Sequence, residues 1–122
     1  MNEDFDILEL IMSLEEKLSI PVFYLFCEED LTQPYIIFKI LDNRDNNMFD
    51  DKYISEYYNV EVTLWYTSSE HTLLYKKVKK ELENLNFIFR RSYDLLDESS
   101  NKNAETVRYY GKLMDFRYKR FY

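Results

Sequence analysis

Along the first stretch of the chain, apolar residues recur at helical spacing. Ile7, Leu10, Ile11, Leu14 and Leu18 alternate with Glu9, Ser13, Glu16 and Lys17. One apolar stripe at that period predicts an amphipathic helix over residues 3–18. Acids at its start suit the helix dipole, and Pro21 marks its stop. The pattern then shortens. Val22 to Cys27 is an apolar run read as a short strand, and Glu28-Glu29-Asp30 a turn or loop. Pro34 opens a second strand, Tyr35 to Leu41, at a position that needs no ladder donor. Asp42 to Asp51 is polar throughout and is expected to be a long loop. In the next segment Tyr58, Val60, Val62, Leu64 and Tyr66 alternate with Tyr57, Asn59, Glu61, Thr63 and Trp65. This period of two predicts a strand over Tyr53–Tyr66 with the first set facing the core.

Thr67-Ser68-Ser69-Glu70 has capping-box spacing, a hydroxyl three residues before a glutamate. Leu74, Val78, Leu82 and Leu85 follow with lysines and glutamates between them, so a second amphipathic helix is expected over residues 69–85. Phe87–Tyr93 is a further strand candidate, Asp94–Glu105 a polar hairpin loop, and Thr106–Tyr118 a last long strand. Tyr110, Met114, Phe116 and Tyr118 are candidates for its buried face. Gly111 within it suggests a bulge or close packing. The expected order is α-β-β-β-α-β-β in one domain, 1–122. The expected class is α+β: a mostly antiparallel sheet of about five strands, with two helices on one face.

Composition changes this picture by exclusion. The 122 residues contain one Gly, one His and one Cys, against 12 Tyr and 9 Phe. One glycine cannot build a glycine-rich phosphate loop, and one Cys with one His cannot build a Cys/His zinc site within a chain. Neither a catalytic apparatus nor a cofactor is expected. Cys27 cannot form an intrachain disulfide, which suits a reducing cytoplasm. The acidic N-terminus does not read as a signal peptide, and no apolar run is long enough to span a membrane. The net charge of −7 argues against general nucleic-acid binding, which needs a basic surface. That charge is unevenly placed. Residues 1–51 hold 13 acids and 3 bases, net −10, and residues 52–122 hold 10 acids and 13 bases, net +3.

Candidate chemistry is sparse. Asp45, Asn47 and Glu56 fall at positions 1, 3 and 12 of a calcium-loop template. Phe49 and Asp50 stand where a ligand and the turn glycine belong, so a solvated loop is the better account. His71 has no second histidine or matched nucleophile, and Lys76-Lys77-x-Lys79-Lys80 is flanked by glutamates as a solvated helix face would be. The aromatics are less routine. Alternation puts Tyr57, Trp65 and Tyr109 on the sheet face away from the helices, and exposed Tyr and Trp are enriched at protein interfaces.

The layout resembles the tail terminator (tail-completion, or head–tail joining) proteins of long-tailed bacteriophages. An N-terminal helix precedes "IPVFYLFCEED". Next come "QPYIIFKI", a polar segment, and "YYNVEVTLWYTSSEHTLLYKKVKKELENLNF", a strand leading straight into a helix. "YYGKLMDFRYKRFY" closes the domain. The resemblance implies a structural virion protein, assembled in the host cytoplasm as a ring of about six copies at the tail–neck junction. Such a ring ends tube polymerisation. Its partners are further copies of itself, the tail tube protein and a neck protein, with DNA only passing through its channel and no membrane involved. The family has no fixed site motif. Charge and exposure nominate Asp45, Asn47 and Phe49 in the first polar segment, and Arg117, Lys119 and Arg120 at the basic C-terminus, as interface residues. The alternatives are a neck or head-completion adaptor, and a small acidic DNA-mimic inhibitor of restriction or CRISPR nucleases.

Overall fold

A computed structural model describes residues 7–27, 31, 33–49, 52–100 and 106–121, with side chains described for 7–27, 31, 33–41, 57–98 and 106–119. Two short helices open the chain, α1 (Ile7–Met12) and α2 (Leu14–Leu18). They are one amphipathic stripe interrupted at Ser13, whose hydroxyl donates to the Leu10 carbonyl at 2.6 Å. Such bonding of a serine to the preceding turn competes with the helix ladder and bends it. Ser19 ends α2 in the left-handed conformation, φ 57°, its N–H donating to the Glu15 carbonyl. The Glu15 carboxylate accepts from the Val22 N–H at 3.0 Å and so ties the helix to the first strand.

Five strands form one sheet: β1 (Val22–Tyr24), β2 (Tyr35–Phe49), β3 (Lys52–Tyr66), β4 (Phe87–Ser100) and β5 (Thr106–Phe121). Their order is β1-β2-β3-β5-β4. β1 runs parallel to β2, and every other neighbour is antiparallel, so the sheet is mixed. Between β3 and β4 lie a 3-10 turn, Ser69–His71, and helix α3 (Tyr75–Asn84). The cap expected from the Thr67–Glu70 spacing is supplied instead by Ser68, which accepts from the Glu70 N–H at 3.4 Å. It caps the 3-10 turn, so the α-helix starts later than residue 69. Asn86 follows α3 at φ 73°, a left-handed position that asparagine tolerates better than most residues.

The α+β class holds. Two segments depart from the sequence expectation: 42–51 and 94–105 are not loops over their described residues. β2 continues to Phe49, opposite Lys52, and β4 continues to Ser100, opposite Thr106. A polar stretch offers no apolar face to bury, but strand pairing does not require one. Main-chain pairing to the strand-forming residues of β3 and β5 is enough to extend it.

The core lies between the helices and one sheet face. Ile7, Ile11 and Leu14 of the first helices and Val78 and Leu82 of α3 pack with Val22, Ile36, Phe38, Tyr58, Val60, Val62, Leu64, Phe87, Met114 and Phe116. The expected inward set of β3 is therefore correct, with Tyr66 at its rim stacked on Tyr110 at 5.8 Å. Gly111 sits in unbroken register between Trp65 and Leu95, so it marks close packing and no bulge. A Cβ there would stand 2.8 Å from the Trp65 ring. The register shifts lie elsewhere, between Ile40 and Asp42 in β2 and between Phe89 and Arg91 in β4. Both fall at the level of Val60 and Phe116.

At the start of α3, the Lys112 ammonium lies 4.5 Å from the Tyr75 ring and 2.8 Å from Asp94. The Asp94 hydrogen bond raises the Lys112 pKa above its ordinary range, and burial opposes it more weakly. A raised folded-state value means the stabilisation is complete below the unfolded value of about 10.4 and fades as pH rises through the folded one. Lys112→Met is expected to lower the melting temperature by about 3–5 °C at neutral pH, from roughly 1 kcal/mol of lost cation–π and ionic contact. The gap between variant and wild type should close in strongly alkaline thermal scans.

Candidate interaction surfaces

The sheet face away from the helices is organised in transverse rows by the strand register. Phe23, Ile37, Thr63, Leu113 and Tyr93 form one apolar row, and Tyr35, Trp65, Gly111 and Leu95 the next. These side chains largely cover one another: Thr63 and Tyr109 are buried although no helix lies over them. Tyr57 and Trp65 are half-buried on the same face.

Beside the apolar rows runs a charged one. Lys39 lies 3.3 Å from Glu61, and Arg91 lies 2.8 Å from Asp115. Glu61 and Asp115 are direct cross-strand partners, so two like charges meet at the centre, each balanced by a cation on an outer strand. The Asp115 hydrogen bond raises the Arg91 pKa further above its already high range. In the following row Arg117 donates to the Asn59 side chain at 3.4 Å, and its guanidinium lies 4.6 Å from the Tyr57 ring.

No family model matches this sequence. No curated protein matches it either.

Of the residues nominated from sequence, Arg117 is thus held against its own sheet. Lys119 pairs in register with Tyr57, and Arg120 with Glu56. Asp45 also pairs with Glu56, and Phe49 with Lys52, while Asn47 lies between them on β2. The fold therefore brings both nominated groups to one end of the sheet, where β2, β3 and β5 run side by side. Acidic segment and basic C-terminus are neighbours there. The side chains of Asp45, Asn47, Phe49 and Arg120, and with them the calcium template, lie outside the described side chains. Among the described residues no cluster of three or more His, Cys, Asp or Glu is placed to hold a metal, and no helix is long and apolar enough to cross a membrane.

Two hairpin arms leave the sheet at opposite ends. The β2–β3 arm extends past the start of β4, with Asn43 to Phe49 paired to Lys52 to Tyr58. The β4–β5 arm extends past the end of β3, with Asp97 to Ser100 paired to Thr106 to Tyr109. In the second arm Leu96, Asp97, Glu98 and Arg108 are exposed. An Arg108–Glu98 ion pair at 3.1 Å crosses it.

The residues that sequence reasoning missed lie at the two sheet edges. Tyr24, Leu25, Phe26 and Leu41 are exposed at the β1–β2 edge, Phe26 by 61% and Leu41 by 53%. Ile88, Tyr93 and Leu96 are exposed on β4, Ile88 by 58% and Leu96 by 63%. A signal for them existed. Ile40-Leu41 and Phe87-Ile88-Phe89 place apolar residues side by side in strands of period two, so one of each set must point away from the core or bulge. The run Val22–Cys27 gives only three strand residues, because Leu25 turns out at φ 73°.

Proposed function

We propose that this protein is a structural part of a bacteriophage virion, acting as the tail terminators it resembles. It would form a ring, of about six copies, that caps the tail tube and receives the neck. The observation that carries this reading is the pair of hairpin arms at opposite ends of one sheet. A ring set between a tube and a neck needs a reaching element above and another below. Strands running roughly along the ring axis supply both from one subunit. The ring reading is favoured over a DNA mimic because Glu61, Asp94, Glu98 and Asp115 each have a basic partner within the chain, and so present no free row of carboxylates.

The test is mass measurement of the full chain in solution together with negative-stain imaging, alone and with purified tail tubes. Six-fold rings, or rings at tube ends, are expected. A chain that stays monomeric and never decorates a tube end defeats the reading. Retention by a portal or adaptor protein, with none by tail tube protein, transfers the chain to the neck-adaptor role.

A further inference from the structure

We infer that neighbouring subunits join edge to edge, with β4 of one copy lying antiparallel against the β1–β2 edge of the next. This rests on the ring reading above and names the contact that builds it.

Among the described residues, both edges offer unpaired main chain. β4 has β5 on one side only, and β1 covers β2 no further than Phe38, leaving Lys39 onward open on its outer side among the described strands. Open strand edges are templates for another strand, and proteins that stay monomeric normally guard them. Here both carry large exposed apolar residues: Tyr24, Leu25, Phe26 and Leu41 on one, Ile88 and Tyr93 on the other.

The two sets fall at matching heights along the register. Tyr24 aligns through Phe38, Val62 and Met114 with Ser92, the neighbour of Tyr93. Leu41 falls between the row of Ile40, which ends at Phe89, and the row of Asp42, which ends at Ile88. Strand direction also fits. β1 and β2 run one way and β4 the other, so copies related by rotation about an axis along the strands meet antiparallel at every contact. The edges differ from each other, so the contact is heterologous, the kind from which closed rings are built.

The edges themselves select a second copy as the occupant. Each finds an open strand of opposite direction, with apolar residues at the same height, on the other side of an identical subunit.

The experiment uses the full chain with Cys27→Ser as background, carrying Leu41→Cys in one preparation and Ile88→Cys in another. Both positions are more than half exposed, so the fold should accept them, and circular dichroism checks this. The preparations are treated with a short bis-maleimide separately and after mixing and re-equilibration. The expected result is cross-linked dimer in the mixture and at least tenfold less in either preparation alone. Ile88→Glu with Tyr93→Glu, a second route, should shift wild-type rings to monomers by native mass spectrometry. Leu41→Cys linking to itself means a two-fold contact and overturns the inference. Rings that form without the mixed cross-link, and survive Ile88→Glu with Tyr93→Glu, overturn it while leaving the ring reading intact. A wild-type chain that never assembles, alone or on tubes, removes both.

Discussion

Phe116→Ala is expected to cost about 3–5 kcal/mol of folding free energy, the range for truncating a buried phenylalanine. Phe116 is 1% exposed, and its ring lies 5.6 Å from Phe89 and 6.4 Å from Phe87. Its strand neighbours, Val60 on β3 and Phe89 on β4, leave little freedom to close over the void. A domain of this kind has roughly 5–15 kcal/mol in total, so the variant should unfold at markedly lower denaturant or already be unfolded at growth temperature. Urea melts monitored by fluorescence of Trp65 would read the change. A loss below about 1 kcal/mol would mean that the aromatic cluster is not packed as described.

Gly111→Ala should be destabilising by about 1–3 kcal/mol in the wild-type chain and close to neutral in a Trp65→Ala background. The added Cβ would stand 2.8 and 2.9 Å from two atoms of the Trp65 ring and 3.1 Å from the Leu95 Cβ, so the ring must tilt off the strand. With the ring gone, the 3.1 Å approach to the Leu95 Cβ remains, and it offsets the ordinary benefit of replacing glycine in a strand, roughly several tenths of a kcal/mol from a less disordered unfolded chain. The loss of most of the penalty between backgrounds is the measurement that matters. Equal effects in both would show that the glycine is required by its backbone and not by the indole.

The β3 alternation, the inward residues of α3 and the strand start after Pro34 could be read from the sequence because each depends on which neighbours a side chain is buried against. That preference is written into the chain at a fixed period. The arms were illegible for the opposite reason. Asp42–Phe49 and Asp94–Ser100 are largely polar in sequence, so no apolar period marks them, and their strand character comes from main-chain bonds to partners elsewhere in the sequence. The apolar edges fell between these cases. Leu41 and Ile88 were visible as apolar residues, but their exposure depends on where the ladders slip by one residue, which no local pattern encodes. The acidic and basic segments lie at one end of the sheet because β3 pairs with both β2 and β5 and so draws them together, a neighbourhood that no local pattern records. The lone glycine was legible as a sign of close approach, and the sheet supplies the indole that requires it.

The strand order also implies a route to the native state. β2–β3 and β4–β5 are each local hairpins, which form in microseconds when taken singly. They meet along one seam, β3 against β5, from Ser55 with Phe121 to Tyr66 with Tyr110. Joining there closes a long loop that contains α3, and the entropy of that closure must be met before the core contacts repay it. The seam is therefore the slow and cooperative event, and the two arms are the ends of units that zip before it. Phe116 lies on the seam, so its loss should appear in the rate of refolding as well as in the equilibrium.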